Sequence, residues 1–78
     1  MVKIYTLTMC PSCIAAKRLL NERNVKFEEI NIQKEYISRD ELEDLTGGRT
    51  VPQIIINDKS IGGFENLLAF DQAGDLLN

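Results

Sequence analysis

The sequence predicts an α/β fold in which helices flank a four-stranded mixed β-sheet, with elements in the order β-α-β-α-β-β-α. Three observations carry that expectation. Short β-rich runs alternate with stretches of helical periodicity. A helical stretch separates the first two runs, as a right-handed crossover between parallel strands requires. Only Asn57-Asp58 separates the last two, as in an antiparallel hairpin. With 78 residues, 44% of them hydrophobic, residues 1–78 support one domain with a modest core and leave no room for a second.

Residues 2–7 alternate weakly and are β-rich, which gives the first strand, and Ile14, Ala15, Leu19 and Leu20 then recur at helical spacing through about Asn24. Residues 25–32 read as a second strand with Ile30 and Ile32 in phase and Phe27 out of phase with them. A polar helix follows. Ser38 with Glu41 forms a capping box at its start, Leu42 and Leu45 give it a narrow apolar stripe, and Gly47-Gly48 stops it. Residues 51–56 and 59–62 form the hairpin, whose Asn57-Asp58 turn tolerates left-handed backbone. Gly62-Gly63 breaks the pattern before a last helix marked by Phe64, Leu67, Leu68 and Phe70, which Gly74 ends ahead of a Leu76-Leu77 tail. The expected core is Ile14, Leu19, Leu20, Ile30, Ile32, Leu42, Leu45, Ile54, Ile56, Leu67 and Leu68.

Net charge is −3, and nothing supplies the basic stripe that a nucleic-acid binder needs. No signal-like segment opens the chain and no apolar run could span a bilayer, so no membrane partner is expected and the default compartment is the cytoplasm. Charge is unevenly placed. Lys3, Lys17, Arg18, Arg23 and Lys26 face Glu22 alone in the first 26 residues, a net +4 that leaves −7 for the rest. A basic field there favours thiolates and anionic thiol substrates, although Lys17 and Arg18 also read as ordinary solvated charges.

In that basic third lies Cys10-Pro11-Ser12-Cys13, between the first strand and the first helix. A disulfide closing so short a loop removes little entropy from the unfolded chain, so the pair suits exchange chemistry better than stapling. Cys10 falls at or just before the helix start, where unpaired N–H groups and the positive dipole end stabilise an anion, and is expected to be the exposed nucleophile. Pro11 suits the first helical turn, and Cys13, about one turn on, is the more buried resolving thiol. The chain has no histidine, so the helix terminus, local donors and cations must activate Cys10. Attack on a disulfide gives a mixed disulfide, resolved by Cys13 or by an external thiol. Two cysteines without histidine cannot complete an all-protein metal tetrahedron in a monomer, so no metal and no tightly bound cofactor are expected.

Cys-Pro-Ser-Cys after the first strand, Thr50-Val51-Pro52-Gln53 before the third and Ile61-Gly62-Gly63-Phe64 before the last helix together resemble the glutaredoxin family of the thioredoxin-like fold, over essentially the whole chain. The resemblance implies a monomeric, cytoplasmic, glutathione-dependent thiol–disulfide oxidoreductase that reduces protein disulfides and glutathione mixed disulfides, with glutathione as co-substrate. It also reverses the prior for Pro52. Sequence alone favours a trans bond, whereas the family has a cis proline whose preceding residue, here Val51, pairs with the extended substrate. The same matching makes Val51 and Pro52 face Cys10 and hold the cysteinyl unit of glutathione, puts Arg49 at the basic position that faces its glycyl carboxylate, and counts the adjacent Thr50 among the glutathione-binding residues. It gives Gly63, Phe64 and Glu65 the γ-glutamyl end, at a helix start that physically suits a carboxylate; packing is the alternative reading for Phe64.

Two departures bear on affinity: Leu7 stands where many members have a glutathione-contacting lysine, and Ser12 replaces a frequent tyrosine. A lost charge-assisted contact is worth about 1.5–3 kcal/mol. Two alternatives therefore stay open. One is a small redoxin fed by thioredoxin reductase and serving ribonucleotide reductase or a similar acceptor; the other is a carrier of a glutathione-ligated iron–sulfur cluster bridging two protomers, against which Pro11 counts.

Overall fold

The computed structural model describes residues 1–77, and residue 78 of the expected domain lies outside them. The elements run β1 (Val2–Thr6), α1 (Pro11–Glu22), β2 (Phe27–Asn31), α2 (Arg39–Thr46), β3 (Gln53–Ile56), β4 (Lys59–Gly62) and α3 (Phe64–Gln72), followed by a 3-10 turn (Asp75–Leu77). The sheet order is β2-β1-β3-β4. β1 runs parallel to β2 with Tyr5 opposite Ile30, and antiparallel to β3 with Ile4 opposite Ile54. The β3–β4 hairpin turns at Asn57 (φ 51°) and Asp58 (φ 67°), and an irregularity between Ile54 and Ile55 shifts its register. This is the mixed sheet with three helices expected from sequence.

Because side chains alternate along a strand, the two central strands bury both of their faces. On one face Val2, Ile4 and Ile54 pack with Ala16, Leu19 and Leu20 of α1 and Leu67 of α3; on the other, Tyr5 and Ile32 pack with Leu42 of α2. This explains the phase of β2. Phe27 packs on the α1–α3 cluster and Ile30 on the α2 cluster, so the two belong to opposite sides of one strand.

Three expected core residues are exposed instead: Ile14 (52%), Leu45 (52%) and Leu68 (36%). Each sits one helical step from a neighbour that takes the inward position. Cys13 and Ala16 carry the buried stripe of α1, Leu42 and Thr46 that of α2, and Leu67 that of α3. Ile30 and Ile56 are half-buried. The elements are also shorter than their apolar runs. β1 ends at Thr6 rather than residue 7, α1 ends at Glu22, β2 spans 27–31 rather than 25–32, and β3 begins at Gln53 rather than residue 51.

Candidate active site

Cys10 is the N-cap residue of α1, with extended backbone (φ −112°, ψ 105°), and its Sγ accepts a hydrogen bond from the Cys13 N–H at 3.3 Å. Its carbonyl takes the first helical bond, from the Ile14 N–H at 3.0 Å. Pro11 follows at the first helical position, where its missing N–H would have had no partner. An N–H aimed at the sulfur, together with the dipole end of the helix, stabilises negative charge on Cys10. Cys13 differs in kind. Both thiols are free, but Cys13 is 1% exposed, and burial pushes its pKa from 9.0 to about 12, assisted by a hydrogen bond with the Cys10 thiol and only partly opposed by a backbone contact at Leu7 and by the Lys17 ammonium. One sulfur is half-open to solvent and the other is held as a buried thiol.

Opposite the thiols, the Val51–Pro52 peptide bond is cis, as the family resemblance implied. The Val51 carbonyl oxygen lies 4.0 Å from Cys10 Sγ although 41 positions separate the two residues. Pro52 is buried, and its carbonyl borders Gly63, where a Cβ would stand 3.4 Å from that oxygen. Gly63 in turn is the N-cap of α3, and no side chain caps this helix. Cys10, the Val51–Pro52 bond and the start of α3 are therefore successive neighbours in space. Glu65 stands exposed in the first turn of α3, while Phe64 is half-buried against the α1–α3 cluster.

Arg49 is held differently. Its Nη1 is hydrogen-bonded to Asp40 Oδ1 and to Glu43 Oε1 on α2, and these carboxylates raise its pKa, the Asp40 bond most. Thr50 is exposed, and its Oγ1 accepts from Gln53 Nε2 at 3.4 Å. Leu7 packs into the α2 cluster alongside Val51, so this position faces apolar side chains, and Ser12 is exposed. Among the described residues, no group of three or more His, Cys, Asp or Glu is placed to hold a metal ion, and no helix is long and apolar enough to cross a membrane.

One constellation escaped the reading of the sequence. Glu29 Oε2 accepts from the buried Thr6 hydroxyl at 2.8 Å and from Lys17 Nζ at 3.0 Å, so Lys17 is ion-paired rather than simply solvated. The Lys17 bond is the main cause that lowers the Glu29 pKa, with Thr6 assisting. The signal was present: Thr6 shares a strand face with Val2 and Ile4, and Lys17 follows Cys13 at i+4, so both face the α1 side of the sheet.

The Glutaredoxin family model matches residues 2–61. Glutaredoxin 3 of Escherichia coli (strain K12) is 43% identical over 75 residues, covering 96% of this chain and 90% of the relative. Among solved structures, a buckwheat glutaredoxin–glutathione complex superposes with a TM-score of 0.87 at 26% identity, over 97% of this chain and 72% of that one. The solution structure of a glutaredoxin from Brucella melitensis gives 0.80 at 37% identity, over 96% and 82%.

Proposed function

The chain belongs to the glutaredoxin family of thiol–disulfide oxidoreductases, and from that premise we propose that it is a glutathione-dependent member, acting as one cytoplasmic domain and as a monomer, which reduces protein disulfides and glutathione mixed disulfides. The observation that carries this reading is the continuity of Cys10 with the Val51 carbonyl and of Pro52 with the uncapped start of α3. An extended thiol peptide with a terminal carboxylate fits such a surface: its backbone lies along the Val51–Pro52 turn and its carboxylate meets free N–H groups.

In the reaction, the Cys10 thiolate bonds to one sulfur of the substrate disulfide while the other sulfur leaves with the electron pair. Cys13 or a second thiol then displaces the bound half. Because Cys13 stays protonated at neutral pH, it enters only after this first attack, and its proton leaves with the departing thiolate.

A second reading has its own support. Arg49 is engaged by Asp40 and Glu43, and Leu7 packs among apolar side chains, so neither offers a free cation to a glutathione carboxylate. Weak glutathione binding would suit a redoxin fed by thioredoxin reductase. NADPH oxidation during reduction of a small mixed disulfide separates the two, with glutathione plus glutathione reductase in one arm and thioredoxin reductase in the other. Turnover with glutathione that survives Cys13→Ser is the expected result. Turnover only with thioredoxin reductase, abolished by Cys13→Ser, overturns the glutathione assignment.

A further inference from the structure

Beside Cys10 lies a shallow apolar depression lined by Met9, Pro11, Ile14, Ala15 and Arg18. Met9 is 91% exposed and Ile14 52%, two large apolar side chains left in water next to the nucleophile. None of Thr50, Val51, Pro52 or Gly63 lines it. Arg18, one of its lining residues, is exposed and forms no ion pair among the described residues, in contrast to Arg23 on Asp71, Arg49 on Asp40 and Lys17 on Glu29. A stripe of this kind fits a chain that is apolar near its cysteine and acidic further on.

The spacing can be read from the helix. Cys10 and Arg18 are eight residues apart on α1, about 12 Å at 1.5 Å per residue. An extended peptide covers that in three or four residues. Resting on the oxidoreductase reading above, we infer that the Met9–Arg18 face docks the protein half of a disulfide substrate, and that it selects segments with apolar residues beside the reacting cysteine and a carboxylate three or four positions away. Charge complementarity with Arg18 sets the acidic end, and the exposed Met9 and Ile14 side chains set the apolar one.

Single-turnover reduction of peptide–mercaptoethanol disulfides by the reduced protein tests this without an external reductant. Cys10 bonds to the peptide sulfur as mercaptoethanol leaves, and Cys13 then closes on Cys10 and releases the peptide thiol, so the two electrons come from the protein dithiol. The peptides carry two apolar residues beside the cysteine and either Glu or Lys at the fourth position, placed before it or after it. The wild type is expected to prefer Glu over Lys about two- to fivefold in one of the two directions, the range of an exposed charge pair. Arg18→Glu should reverse that preference, and Ile14→Ser should slow both peptides while leaving a cysteine–mercaptoethanol disulfide unaffected. Equal rates for Glu and Lys peptides in both directions, or a preference unchanged in Arg18→Glu, overturns the inference. A parallel assay with glutathionylated cysteine reports on the glutathione reading alone, so the two can fail separately.

Discussion

Helices α2 and α3 start in opposite ways. At α2 the Ser38 hydroxyl accepts from the Glu41 N–H at 3.1 Å and the Glu41 carboxylate accepts from the Ser38 N–H at 3.1 Å, so the terminus is closed by its own sequence. At α3 the N-cap is Gly63, which has no side chain to offer, and no other side chain caps the helix. Both ends face the same shortage of acceptors for their first N–H groups. The closed end is made by exposed residues, Ser38 and Glu41; the open end borders the carbonyl of Pro52, whose neighbour Val51 faces the Cys10 sulfur. The α1 terminus stands between these cases, since its cap is the sulfur of Cys10, the proposed nucleophile. A helix end completed by its own residues serves stability, while one left incomplete beside a nucleophile is available to a ligand.

The largest effect expected from breaking this arrangement is at α1. Cys10→Ser should reduce thiol–disulfide exchange to background with every reductant, measured by NADPH oxidation, while thermal unfolding changes little. The asymmetry of the two thiols comes next. A shift from 9.0 to about 12 leaves about 10³-fold less thiolate on Cys13 than on an ordinary cysteine at neutral pH. Mass spectrometry after brief alkylation at pH 7 should therefore find label on Cys10 alone, with Cys13 reacting only after denaturation; equal labelling would refute the assignment.

Closing the open end sharpens the contrast directly. Gly63→Ser supplies the missing cap and so occupies the N–H groups proposed for the ligand carboxylate; it should raise the KM for glutathione several-fold while changing stability by only about a few tenths of a kcal/mol. At the closed end the balance reverses. Ser38→Ala should cost about 1 kcal/mol, seen as a Tm lower by roughly 4–8 °C, with kcat/KM unchanged.

The smallest effect concerns Glu29, whose pKa is lowered from 4.5 in the folded chain by Lys17 and Thr6. Its stabilisation is fully present above the unfolded value near 4.5 and is lost as pH falls through the depressed folded value. Glu29→Gln should therefore flatten the acid limb of a stability–pH curve. Identical limbs in the two proteins would remove the Thr6–Glu29–Lys17 contact from the account.

Much of this was legible in the chain because the rules involved are local. The Ser38–Glu41 box, the Asn57-Asp58 turn, the stops at Gly47 and Gly74 and the place of Cys10 at a helix start each depend on residues within a few positions of one another. The core was read less well. Period-3.6 patterning says that α1 has an apolar stripe, but not which residues carry it, and Ile14 lies one step outside the stripe of Cys13, Ala16, Leu19 and Leu20.

The sequence by itself determined the order of the elements and the placing of a half-exposed N-cap cysteine and a buried one on one helix turn, since short-range hydrogen bonding and side-chain periodicity suffice for both. Tertiary structure alone decided what stands around them. It set Val51 against Cys10 across 41 positions, turned Arg49 toward Asp40 and Glu43, folded Leu7 into the α2 cluster and tied Lys17 to Glu29. Such contacts depend on which sheet edge and which helix face the folded chain brings together, and no periodicity within a single segment records that.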